Sequence, residues 1–94
     1  MRPEEVVENY RQELRDYLMY AYLAKVEKDE GLRARIIKIA GMEKGHAEFW
    51  EELAKRLGVA LKGLSFRDRL DLFKVKVMRR VLGAKITYRY LDSK

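Results

Sequence analysis

Glu43 and His46 stand three residues apart in a stretch that reads as helix, Ile39-Ala40-Gly41-Met42-Glu43-Lys44-Gly45-His46-Ala47-Glu48-Phe49-Trp50. At that spacing both side chains leave the same helix face. Ile36, Ile39, Trp50, Leu53 and Leu57 share that face. A carboxylate and the chain's single imidazole thus interrupt an apolar seam, where an uncompensated charge is costly. A metal ion is the compensation their chemistry suggests, since carboxylates and imidazoles are common ligands of iron and manganese and also suit zinc. Glu13 interrupts an earlier seam in the same way. Its neighbours Val6, Tyr10, Tyr17, Tyr20 and Ala24 recur at alternating spacings of four and three, as in packed helices. Alone, Glu13 would read as a long side chain reaching for solvent or for an arginine. A Glu-x-x-His pair alone would read as a chance feature of a helix surface, or as a Glu–His hydrogen bond without metal.

The elements that carry these residues bring them together. Pro3 suits the first turn of a helix, and Glu4 and Glu5 suit its positive end. The helical pattern then runs to about Lys28. Lys28-Asp29-Glu30-Gly31 reads as a short connection, and a second helix spans about Leu32 to Leu57, with Gly58 as its C-terminal cap. So short a link makes the pair an antiparallel hairpin over about residues 3–57. Glu13 lies about as far before the turn as Glu43 and His46 lie after it, so at about 1.5 Å per residue the three reach nearly one level. Gly41 and Gly45 inside the second helix suit close approach of another helix. Beyond a loop containing Gly63, Ser65 is an expected N-cap with Asp68 in a capping-box position. A third helix is expected over Phe66 to Leu82, burying Leu70, Phe73, Val77 and Val81, although Phe73 to Val77 also alternates like a strand. Gly83 breaks it, and Ala84 to Leu91 reads as a short last helix or a fraying end.

The totals fit one helical domain over residues 1–94. The chain is 38% charged and 48% hydrophobic, without cysteine, which excludes disulfides, zinc–thiolate sites and a thiol nucleophile and fits a cytoplasmic protein. Heavy use of Glu, Lys and Arg with few Asn and Gln matches thermophile composition. No signal peptide and no long apolar run is present, so no membrane span is expected. The net charge of +6 is uneven: residues 1–61 hold 11 Lys/Arg against 12 Asp/Glu, whereas residues 62–94 hold 10 against 3. That basic segment, helical over about 65–92, reads first as a solvated face or one meeting an acidic neighbour. Nucleic acid and an anionic membrane surface are the alternatives, but no aromatic-basic RNA motif or helix-turn-helix pattern supports nucleic acid.

Three donors are half of a familiar set. In bundle di-metal proteins two helices each supply one Glu and two more each supply Glu-x-x-His. A homodimer packed hairpin against hairpin would double Glu13, Glu43 and His46 to that complement and bury the seams of helices too few to make a bundle alone. The expected fold is therefore all-α, a hairpin with one or more C-terminal helices, completed as a four-helix bundle by homodimerisation.

Glu13-Leu-Arg-Asp-Tyr-Leu-Met-Tyr20-Ala-Tyr-Leu-Ala24-Lys resembles the first helix of rubrerythrin and ferritin-like proteins, where a ligand Glu precedes a Tyr by seven residues. Lys38-Ile-Ala-Gly-Met-Glu43-Lys-Gly-His46-Ala-Glu-Phe-Trp50 resembles their second helix. Residues 73–92, with the Leu-Gly break at 82–83, resemble the connection in the rubrerythrin-like domain that precedes vacuolar-iron-transporter-type membrane segments. That domain continues with a second helix pair bearing its own ligands, whereas this sequence stops at Lys94. A half-length protein that dimerises, or a fragment, accounts for the difference, and no rubredoxin-type cysteine module is present. The resemblance implies two iron ions per dimer bridged by Glu43 and its symmetry mate, with Glu13 terminal and His46 bound through a ring nitrogen. Manganese and zinc are the other metals the set accepts. It further implies a ferroxidase or peroxidase-type oxidoreductase acting on iron(II) with oxygen or peroxide, or iron storage. Tyr20 would act beside the site as a hydrogen-bond or electron donor, or else is a packed aromatic. Trp50 and Tyr17 read as core, and Asp16 and Glu48 flank the site without being ligands. Two other functions are consistent with the residues. One is a non-catalytic metal-binding, iron-sensing or interaction module, associated with a membrane surface or a transporter. The other is a metal-free helical dimer with a basic binding face.

Overall fold

Local signals at the helix ends divide the chain. The computed structural model describes residues 1–92. Helix α1 (Pro3–Val26) starts with proline in its first turn beside Glu4 and Glu5, and ends with Lys25 in its last turn. Both charge placements oppose the helix dipole favourably. It stops two residues before the expected Lys28. Asp29 is the reason, since its side chain caps α2 (Glu30–Leu57) by accepting the Leu32 N–H at 2.8 Å, leaving residues 27–29 as the link. Gly58 closes α2 in the left-handed conformation, φ 68°, which glycine adopts without a Cβ clash. Ser65 caps α3 (Phe66–Leu82) in a reciprocal box: the Asp68 N–H donates to Ser65 Oγ at 3.1 Å and the Ser65 N–H to Asp68 Oδ2 at 2.9 Å. The alternating run Phe73 to Val77 is helical, because it lies inside a segment nucleated by this cap. After Gly83, residues Ala84–Asp92 form α4. All secondary structure among the described residues is helical.

Helices α1 and α2 lie side by side along their lengths and run in opposite directions: Tyr10, Leu14 and Tyr17 adjoin Lys44, Ala47 and Glu51, while Tyr20 adjoins Ile36. The molecule's longest extent, 42 Å, is that of α2 alone at about 1.5 Å per residue. On α2 the residues buried are Ile36, Ala40, Ala47 and Ala54, so small side chains let the two helices approach. Ile39 and Leu57, expected in the seam, are exposed, and Trp50 and Leu53 are half-buried. Helix α2 is thus turned so that the alanines face α1 and the large apolar residues lie at the edge of the contact.

The core joins Met19, Leu23 and Ala24 of α1 to Ile36 of α2 and Val75 of α3, with Tyr88 and Leu91 of α4 packed against it. Two polar clusters fix the C-terminal helices. Asp68, fully buried, pairs with Arg11, and with Arg15 at 3.6 Å, both on α1. Glu27, just beyond α1, accepts the Tyr88 hydroxyl at 3.2 Å, lies 3.7 Å from Arg79, and accepts the Asp29 N–H at 3.0 Å.

The orientation of α3 corrects the sequence expectation. Leu70, Phe73, Val77 and Val81 are not buried but 49, 64, 42 and 72% exposed. The face turned inward carries Asp68 and Val75. Two arginines on α1 hold Asp68, and a carboxylate committed to both an N-cap and a buried ion pair sets the rotation of its helix. A helix so anchored keeps its apolar stripe outward. None of the described helices is long and apolar enough to cross a membrane.

Candidate metal centre

Midway along α1 and α2 the two chain directions bring three donors to one level. Glu13 stands on α1, and Glu43 and His46 on successive turns of α2. One donor atom from each lies within 4.8 Å of the others. His46 Nδ1 is 3.3 Å from Glu13 Oε2 and 3.9 Å from Glu43 Oε1. With the proton on Nδ1, His46 donates to Glu13. All three residues named from sequence spacing are therefore together, and Asp16 and Glu48 stand outside the group.

The electrostatics are those of a crowded acidic site. Burial, a hydrogen bond to Glu13, and the charges of Glu13 and Asp16 push the Glu43 carboxyl up to about 7, against a smaller opposing effect of His46. Two carboxylates this close cannot both ionise cheaply without a cation. The protonated Glu43 donates to Glu13, so without metal a proton occupies the place where positive charge is needed. A divalent cation would take over that role, and two carboxylates with an imidazole form a donor set suited to iron, manganese or zinc. The residues therefore fit a metal ion by donor chemistry and by spacing.

The site opens outward. Glu43 is half-buried, and the His46 side chain is 53% exposed. On that side of α2, Met42 and Phe49 are 55 and 60% exposed beside Ile39, and Phe49 meets Trp50 edge-on at 5.2 Å between ring centres. Gly41 and Gly45 are exposed as well, and a Cβ added at either would meet no atom of the chain. Neither glycine serves the contact with α1.

Tyr20 is not one of the three clustered donors, but it feels the charge of Glu43. It is half-buried against the core and lines a cavity of about 210 Å³ with Leu32, Ile39, Tyr88 and Leu91. Burial, with the charges of Asp16, Glu43 and Asp92, raises its pKa, so it is a neutral phenol at physiological pH. Tyr17 and Trp50 are half-buried at the flanks. The contribution of Asp16 was not evident from its type. Only its position one turn from Glu13 puts its charge on Glu43. No protein-family model, curated protein or solved structure matches the chain.

Proposed function

We propose that this chain is one half of a ferritin-like di-metal carboxylate protein, in which two copies face their α1–α2 sides together and bind two iron ions. The observation that carries the reading is the convergence of Glu13, Glu43 and His46 within 4.8 Å at the edge of an outward-facing apolar strip. Three donors leave a metal undercoordinated, and a two-fold axis beside them supplies the same three again. The same packing covers Ile39, Met42 and Phe49 beside the donors.

In that assembly Glu13 and Glu43 supply negative charge, and His46 supplies a neutral nitrogen. Glu43, holding a proton in the metal-free state, releases it when a cation enters. Tyr20, as a neutral phenol close enough to feel the charge of Glu43, can donate a hydrogen bond toward the carboxylates. The chemistry that iron(II) supplies in such a site is electron donation to oxygen or peroxide, consistent with ferroxidase, iron-storage or peroxide-handling activity.

Metal analysis together with solution mass tests the proposal. A dimer carrying one metal pair is expected, with iron(II)-dependent oxygen consumption. Tight iron binding without oxygen consumption would remove catalysis and keep the site. A monomer that binds no metal would sink the half-site reading.

A further inference from the structure

Helix α3 sorts its side chains onto two opposite faces. At about 100° per residue, Asp68, Leu72, Val75 and Arg79 fall on the side toward the rest of the chain. Asp68 and Val75 are buried there, and Arg79 reaches Glu27. Asp71, the other acid of α3, lies 3.8 Å from Arg15 of α1. The outward side carries Phe66, Leu70, Phe73, Val77 and Val81, every one exposed. On its flanks stand Arg69, Lys76 and Arg80 to one side and Arg67 and Lys74 to the other, all exposed. Lys76 reaches back to α1, its ammonium 5.2 Å from the Tyr22 ring centre. Asp68 is buried and Asp71, which also borders the outward groove, is paired with Arg15, while Arg67, Arg69, Lys74 and Arg80 flank the apolar stripe without an acid of α3 among them. An open groove of about 690 Å³ runs along that stripe between Arg67 and Leu82.

We propose that α3 docks in the plane of an anionic lipid bilayer. The apolar stripe enters the boundary between headgroups and acyl chains, and the flanking cations meet lipid phosphates. Charge complementarity selects this occupant. A second copy of α3 laid on the same stripe would set arginines and lysines against their own mates, since an isologous contact pairs like with like. Nucleic acid satisfies the cations but leaves five apolar side chains in water at the centre of the contact. A bilayer offers apolar depth in the middle and phosphates at both flanks. This surface lies on a different helix from the metal centre, and the proposal does not depend on metal.

Co-sedimentation of the full chain with phosphatidylcholine–phosphatidylglycerol vesicles, against vesicles of phosphatidylcholine alone, tests it. Binding to the anionic vesicles that weakens with added salt is expected. Replacing Arg69, Lys74 and Arg80 by Gln together should lower partitioning by about 100-fold, from roughly fivefold per cation at the surface. Phe73→Ser should lower it by about tenfold while leaving the melting temperature unchanged, because Phe73 is already exposed. Equal binding to neutral vesicles, no binding to either, or binding indifferent to Phe73→Ser would overturn the proposal. So would loss of a solution dimer on Phe73→Ser, which would assign the stripe to a second copy. A salt-sensitive complex with duplex oligonucleotide that outcompetes anionic vesicles would assign the cations to nucleic acid instead, and would also overturn it.

Discussion

Replacing Glu43 by glutamine should remove most of the loss of stability that the metal-free protein undergoes as pH rises from about 4.5 to 7, because the amide stays neutral like the protonated carboxyl. The Glu43 carboxyl stands at about 7 in the fold against its ordinary 4.5. Below pH 4.5 the group is protonated whether the chain is folded or not. Between 4.5 and 7 the unfolded chain loses the proton and the folded one keeps it, so stability falls as pH rises. Above 7 both are ionised and the loss is complete. The full interval corresponds to about 3.4 kcal/mol at 1.36 kcal/mol per pH unit. Solvent reaches the site, which lowers this to about 2 kcal/mol. For a domain of this size that is roughly 8–16 °C in melting temperature. Chelator-treated wild type should therefore melt lower at pH 8 than at pH 5, and Glu43→Gln should flatten that difference. Excess iron(II) or zinc should invert the order. Metal binding requires both carboxylates ionised, so wild type gains most at pH 8 and Glu43→Gln gains little. Protein concentration must be held constant, since self-association also shifts the transition. Identical pH profiles for metal-free wild type and Glu43→Gln would refute the crowded-carboxylate account of the site.

Three further outcomes follow from the packing. His46→Ala should weaken zinc or iron(II) binding at least tenfold in a chelator competition, with little effect on metal-free stability because the side chain is half-exposed. Asp68→Ala should cost about 3 kcal/mol in urea unfolding, since it strands Arg11 and Arg15 and removes the carboxylate half of the α3 capping box. Gly45→Ala should raise stability by about 1 kcal/mol in urea unfolding, since the added methyl meets no atom of the chain, and should leave the solution dimer measured by sedimentation unchanged, because Gly45 faces away from Glu43 on α2.

Local chemistry determined much of this protein directly. Proline and paired glutamates start α1, Asp29 and Gly58 bound α2, and Ser65 with Asp68 starts α3, because caps act over one turn and need no distant partner. The level shared by Glu13, Glu43 and His46 was also legible in the sequence, since helix rise and a short link convert residue spacing into height. Rotation about each helix axis was not legible. Periodicity marks an apolar stripe on α3 but does not say whether the body of the protein lies on that side. The ion pairs of Asp68 with Arg11 and Arg15, 57 and 53 residues distant, decide that, and they leave Leu70, Phe73, Val77 and Val81 outward. Likewise only tertiary packing turned the alanines of α2 toward α1 and left His46 at an open edge. The sequence by itself determined where the helices begin and end and the level at which Glu13, Glu43 and His46 meet. The structure decided which way they face, because facing depends on contacts between residues far apart in the chain.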